Sequence, residues 1–223
     1  MKKIDHAVIL AAGRGQRMYP LTEVVPKPMA PIEGTTLIAK GIANLIERLP
    51  HVHITVGYKK SMLAKYVVEL GVSSVLCTEG HSNSWWIFNT LLKNLDEPIY
   101  VLTCDNIIEL DFNLLEENYR KLNQPACMLV PVKPIEGLEG DFIFQENNKV
   151  SKLDRQSKAP IYCSGVQILN PCRINQLVEN EGDFYSVWNS LIAQNQLFVS
   201  DIYPKKWISI DTVEQLQKAQ KSA

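Results

Sequence analysis

Within residues 13–17, Gly-Arg-Gly-Gln-Arg, two glycines and two guanidinium groups share five positions, and Pro26–Lys27–Pro28 follows shortly after. These residue types at this spacing suit the binding of phosphate. Gly13 and Gly15 let the main chain approach an oxyanion, and successive N–H groups of such a loop form an anion-binding nest. Arg14 and Arg17 add fixed charge and forked donors. The two prolines restrict the backbone around Lys27 and lower the entropy cost of presenting its ammonium group. Two familiar phosphate loops are excluded. A dinucleotide fingerprint needs a third glycine where Met18 stands and a helix that Pro20 would block, and the Walker pattern is absent. A bare Gly-x-Gly is ordinarily a tight turn, so the signal lies in its combination with Arg17 and Lys27.

Something must carry that loop. The apolar run "HAVILAA" (6–12) ends at it and reads as a strand. Further strands are expected at 51–57, 73–79, 98–104 and 126–132. Helical spacing fills 36–49, 61–70, 84–95 and 111–123. This alternation predicts an α/β fold with a mostly parallel sheet, and near-continuous apolar strands are what helices on both faces require. Ligands of such sheets bind beyond the carboxyl ends of the strands, where Gly13 and Gly15 sit. After Pro134 the rhythm changes. Residues 141–153 read as a hairpin turning at Glu-Asn-Asn, 161–169 as a strand, 175–195 as one or two helices, and 197–203 as a strand. A closing helix follows, capped by Asp211 or Thr212. The expected organisation is one domain over 1–223 with a hairpin insertion.

Composition narrows the partners. The chain has 223 residues, 46% apolar and 21% charged, with a formal net charge of -1. A nucleic-acid binder would usually be basic, so no nucleic acid is expected. No window approaches the ~20 apolar residues of a membrane span, so no membrane is expected either. The five cysteines show no C-x-x-C spacing. They read as inert thiols of a reducing, cytoplasmic compartment.

The pattern from Leu10 to Thr22, followed by Pro26–Lys27–Pro28, resembles that of the nucleotidylyltransferases that join a nucleoside triphosphate to a phosphorylated sugar or amino alcohol. The resemblance implies a glycosyltransferase-A-like, Rossmann-like fold. Residues 1–133 would be mainly nucleotide-binding and 134–223 mainly acceptor-binding. The backbone of Leu10, Ala11, Ala12, Gly13, Arg14 and Gly15 would hold base, ribose and phosphates. Arg17 would stabilise the triphosphate, and Lys27 would bridge donor and acceptor phosphates. The family's metal aspartate falls on Asp105, at the end of "YVLTCD", where an Asp-Asn turn is the ordinary alternative. The second ligand is assigned to Asp211 in "WISIDT", where the sugar-nucleotide branch would carry an aspartate at the position of Ser209. The alternative role of Asp211 is a helix N-cap with Glu214 as its capping-box partner. Mg²⁺, which prefers oxygen ligands, is the implied cofactor.

Residues 78–95 resemble the choline-phosphate branch more than the sugar branch. Asn83 and Ser84 could hydrogen-bond a base edge or simply cap the following helix. Trp85 falls on one helical face with Phe88, Leu92 and Leu95 and reads as core. Trp86 falls off that face and could stack on a base or face a quaternary ammonium. Gly165 matches a strand lining the acceptor pocket. Asn189 stands where that branch has an aspartate, which weighs against a cationic acceptor. Cys104 has no histidine partner, so a thiol mechanism is rejected. The function implied is Mg²⁺-dependent transfer of a nucleotidyl group, CMP first, from CTP to a phosphocholine-like or polyol phosphate. A UTP- or other NTP-dependent sugar-1-phosphate enzyme, a molybdopterin nucleotidylyltransferase and a non-catalytic nucleotide-binding module remain open, and a homodimer is compatible with all of them.

Overall fold

The apolar run at 6–12 forms a strand because branched residues with no charge between them fit a pleat covered on both faces. The computed structural model describes residues 3–135, 140–179 and 182–221. In chain order the strands are β1 (His6–Leu10), β2 (Pro31–Ile32), β3 (Thr35–Thr36), β4 (His51–Val56), β5 (Ser74–Cys77), β6 (Ile99–Thr103) and β7 (Asn106–Glu109). They continue with β8 (Cys127–Val132), β9 (Phe142–Glu146), β10 (Lys149–Asp154), β11 (Tyr162–Leu169), β12 (Leu197–Val199) and β13 (Lys206–Ser209). The helices are α1 (Leu21–Val24), α2 (Leu37–Ile46), α3 (Lys60–Glu69), α4 (Trp85–Asn89), α5 (Phe112–Lys121), α6 (Pro171–Leu177), α7 (Phe184–Ala193) and α8 (Val213–Lys221). The expected α/β alternation with a mostly parallel sheet is therefore present.

The chain gathers into two compact units that interleave along the sequence. One takes in Asp5–Asn83, Val101–Ile108 and Ile208–Ala223. Its strands run β5-β4-β1-β6. The β1–β4 and β4–β5 pairs are parallel, with Leu10 opposite Thr55 and His53 opposite Ser74. Parallel register sends the carboxyl ends of β1 and β4 to the same edge. Its closing element, α8, packs Leu216 and Ala219 with Met18, Ala30, Ile32, Leu37 and Ile210 in one buried cluster. That cluster ties together the end of the glycine loop, the stretch after Lys27 and the residue before Asp211. The start of α8 is fixed by a capping box of Thr212 and Gln215. Thr212 Oγ1 accepts from the Gln215 N–H at 3.2 Å, and Gln215 Oε1 accepts from the Thr212 N–H at 3.1 Å. The alternative role of Asp211 as N-cap with Glu214 is thereby corrected, and its carboxylate is left available.

The other unit takes in Ser84–Tyr100 and Glu109–Trp207 among its residues. Its strands run β11-β8-β12-β10-β9. Here β8 and β12 are parallel, and the β11–β8 and β10–β9 pairs are antiparallel. The hairpin expected at 141–153 is β9–β10. Asn147 and Asn148 turn it with φ of 51° and 65°, a left-handed pair that asparagine tolerates. The region 175–195 resolves into parts of two helices, α6 and α7. The helix expected over 84–95 is broken. Thr90 is extended (φ -115°, ψ 173°), and its hydroxyl accepts from the Leu92 N–H to start a separate 3-10 turn, Leu91–Asn94. Among the described residues no helix is long and apolar enough to cross a membrane.

Candidate active site

The nucleotide and metal candidates of the first unit converge at the carboxyl edge of its sheet. The Ala11 N–H donates to Thr55 Oγ1 at 3.0 Å, and the Cys104 N–H to Leu10 O at 3.2 Å, so the ends of β1, β4 and β6 are laced together. The Ile210 N–H then donates to Asp105 O at 2.9 Å, which carries Asp211 to the side of Asp105. A cavity of about 470 Å³ opens there, lined among others by Leu10, Gly13, Arg14, Gly15, Arg17, Lys27, Asn83, Asp105 and Asp211.

The spacing of glycine and lysine has a steric cause. Gly15 has φ +63°, the left-handed region that favours glycine, and a Cβ there would stand 2.6 Å from Lys27 Cβ. The lysine stem thus lies against the bare face of Gly15 and is buried (8% exposed). A Cβ on Gly13 would meet nothing within 4 Å, so that backbone borders open space of the kind an oxyanion needs.

Lys27 Nζ lies 2.9 Å from Asp105 Oδ2 and 2.7 Å from Asp211 Oδ1, and Arg17 Nη2 lies 3.0 Å from the same Asp211 oxygen. Ser209 donates to Asp211 Oδ2 at 3.1 Å. Burial opposes the charge on Lys27, but the two aspartates outweigh it and hold its pKa above the ordinary lysine value. Burial likewise opposes the Asp211 carboxylate, and Lys27 and Arg17 outweigh it, so its pKa lies below the ordinary value. Both groups are therefore charged at neutral pH. Burial and the neighbouring Asp105 push the Cys104 thiol well up, which keeps it protonated and agrees with rejecting a thiol nucleophile.

The donor set fits a hard cation. Two carboxylates touch one ammonium ion, and they offer oxygen ligands of the kind Mg²⁺ takes, with substrate oxygens and water completing its shell. Among the described residues no group of three or more His, Cys, Asp or Glu could hold a metal alone, so the ion would need its substrate's phosphates to be retained.

Several residues of the site were not anticipated. A second cavity of about 240 Å³ is lined by Leu10, Ala12, Gly13, Thr55, Gly57, Tyr58, Asn83 and the stretch from Thr78 to Ser82. Gly57 carried a signal, a glycine closing the strand-like run at 51–57. His81 borders it.

The remaining candidates belong to the other unit, and two of them differ from expectation. Trp86 is fully buried and Trp85 is not, the reverse of the periodicity reading. The face was drawn through Leu92 and Leu95, which the break at Thr90 removes from α4. An enclosed Trp86 ring has no face to offer a ligand. Ser84 is fully buried, and its hydroxyl donates to the Gly182 carbonyl rather than capping α4. Gly165 has φ +83° within β11, where the pairing with β8 shifts register, so it marks a bulge. Asn189 is exposed on α7.

The glycine loop, the buried lysine and the paired aspartates at a sheet edge define a phosphate-handling α/β protein. The chain belongs to the nucleotidyl transferase family, whose model matches residues 6–153. It is 27% identical over 216 residues to a mannose-1-phosphate guanyltransferase of Candida albicans, covering 87% of this chain and 58% of that protein. It is 32% identical over 109 residues to a bifunctional protein GlmU of Methanococcus maripaludis, covering 49% of this chain and 23% of that one. The chain thus spans less than two thirds of the length of these relatives. Its fold is similar to that of the CTP:phosphocholine cytidylyltransferase LicC of Streptococcus pneumoniae (TM-score 0.76, 22% identity, 98% of this chain and 99% of that one). It is also similar to the inositol-1-phosphate CTP transferase of T. maritima (TM-score 0.75, 16% identity, 100% and 98%).

Proposed function

We propose that this protein transfers a nucleotidyl group from a nucleoside triphosphate to a small phosphorylated acceptor and releases pyrophosphate. The observation that carries the proposal is Lys27 Nζ bridging Asp105 and Asp211 above the bare face of Gly15. This is a cation buried among acids at the mouth of an anion-binding loop. The acceptor phosphate is largely dianionic near pH 7, since its second pKa is about 6, so it needs no general base. One of its oxygens attacks the α-phosphorus and pyrophosphate leaves.

The protein's part is positioning and charge balance. The loop backbone from Leu10 to Gly15 holds the base, ribose and phosphates of the nucleotide. Arg17 and Lys27 neutralise charge as the pentavalent transition state forms. Asp105 and Asp211 would hold Mg²⁺, which when bound supplies further neutralisation of the phosphates. Asn83 borders both cavities and serves as a base contact, and Gly165 and Asn189 are assigned to the acceptor. In this reading the donor is CTP and the acceptor an amino-alcohol or polyol phosphate.

A second reading, an NTP with a sugar 1-phosphate, is favoured by the match to the mannose-1-phosphate guanyltransferase over most of this chain. Pyrophosphate release across CTP, UTP, GTP, ATP and dTTP, each with phosphocholine, glycerol phosphate, inositol 1-phosphate and hexose 1-phosphates, tests both. Release with one CTP–alcohol-phosphate pair supports the first reading, and release with a hexose 1-phosphate the second. Mg·NTP binding without release under any acceptor would leave a binding module instead.

A further inference from the structure

We propose that Tyr58 is a positioning residue, tying the root of the phosphate loop to the helix α1 that follows it and holding the Arg14 guanidinium toward the triphosphate. The proposal rests on the nucleotidyl-transfer reading above. Tyr58 follows β4 after Gly57, and a Cβ on Gly57 would stand 2.6 Å from Ala12 O, so the chain here presses on the root of the loop. The Tyr58 N–H donates to that same Ala12 oxygen at 3.0 Å. Its side chain then reaches α1, the helix that follows the loop, where the hydroxyl donates to Thr22 O at 2.9 Å. Thr22 is itself buried, so this second anchor is fixed.

Between the anchors, Arg14 Cζ lies 5.5 Å from the centre of the Tyr58 ring, within cation–π range. Arg14 is exposed, and its guanidinium lies against this ring, which Lys59 Nζ also approaches at 5.6 Å. A cleft of about 350 Å³, lined by Arg14, Gln16, Thr22 and Tyr58 among others, flanks the loop. Close packing therefore does not hold that side, and the tyrosine does. One residue thus fixes the loop's root, the helix after it and the direction of one of the loop's two arginines. Losing it should weaken the grip on the triphosphate while sparing the acceptor.

The test compares wild type with Tyr58→Phe, Tyr58→Ala, Arg14→Ala and the Tyr58→Ala/Arg14→Ala double variant. It reads Kd for Mg·CTP and Mg·UTP by titration calorimetry, and kcat and both KM values by pyrophosphate release. Tyr58→Phe keeps the ring and loses one hydrogen bond, so Kd and KM for the triphosphate should rise about 2–10-fold, with kcat and acceptor KM within about twofold. Tyr58→Ala should raise them about 10–100-fold, and by less when Arg14 is already alanine. Unchanged triphosphate affinity in Tyr58→Phe and Tyr58→Ala overturns the proposal. So does a parallel rise of both KM values with lost thermal stability, which is what a merely structural tyrosine gives. If Tyr58→Ala does not fold, Tyr58→Phe decides. A wild type that binds Mg·NTP but releases no pyrophosphate defeats the transfer reading alone, because the Kd comparison still judges Tyr58. A wild type that binds no triphosphate overturns both.

Discussion

Lys27 and Gly15 are one device read at two positions. The lysine can be buried with its charge because two aspartates meet its ammonium, and it can lie where it does because residue 15 has no side chain. Gly15→Ala therefore places a methyl group within 2.6 Å of Lys27 Cβ and strains a left-handed backbone. We expect it to cost about 1–3 kcal/mol in a urea titration and to weaken Mg·NTP binding in calorimetry. Asp105→Ala removes a carboxylate from the cluster, and pyrophosphate release should fall by at least about a hundredfold with the far-ultraviolet circular dichroism unchanged. At this scale much was legible in the sequence. Gly15, Arg17 and Lys27 could be named from residue type and spacing, and Asp105 and Asp211 through the family resemblance. Thr55 and Tyr58 could not, because their roles come from hydrogen bonds to Ala11, Ala12 and Thr22 that only the parallel register of β1 and β4 brings within reach.

Among the elements, α8 does most to set the site. Its Leu216 packs in the cluster that holds Met18, Ala30 and Ile210, which lie next to or near Arg17, Lys27 and Asp211. Leu216→Ala should cost about 2–5 kcal/mol in urea unfolding, and its triphosphate Kd should rise with it. The opposite, amino end of the same strands carries a different device. His6, His51 and His53 stack at β1 and β4, with ring centres 4.5 Å apart for His6–His51 and 5.4 Å for His6–His53. Burial first, and then the charges of His6 and His51, pull His53 down to about 4 from 6.5. The unfolded chain therefore binds the extra proton between pH 6.5 and 4. This contribution is fully present above 6.5 and lost as pH falls toward 4, by about 3 kcal/mol in all. Urea midpoints at pH 7.5, 5.5 and 4.5 check the decline, and His53→Gln should flatten it.

The elements that periodicity misjudged are short ones. Strands β1, β6 and β8 announce themselves as apolar runs, and the Asn147–Asn148 turn as a hairpin. The break at Thr90 was hidden because threonine neither forbids a helix nor marks its end. It becomes a break only through the hydroxyl that accepts from Leu92. That one error carried over into the reversed assignment of Trp85 and Trp86. The two-residue strands β2 and β3 are too short for any alternation to register.

Taken whole, the chain has almost no net charge, yet it concentrates Arg14, Arg17 and Lys27 at one sheet edge beside two acids. Affinity for a polyanion thus resides in local arrangement rather than in the overall field. A cluster with only two carboxylates, both engaged by Lys27, should bind a divalent ion weakly until a triphosphate brings further oxygens. Chelation with EDTA should therefore abolish pyrophosphate release, excess Mg²⁺ should restore it, and calorimetry should find Mg²⁺ bound more tightly with the nucleotide than without. The most direct measurement is pyrophosphate release by Lys27→Ala beside wild type, with the nucleotide and acceptor that serve wild type best. The account predicts a loss of at least about a hundredfold in a variant that keeps its secondary structure. A rate equal to wild type would contradict it.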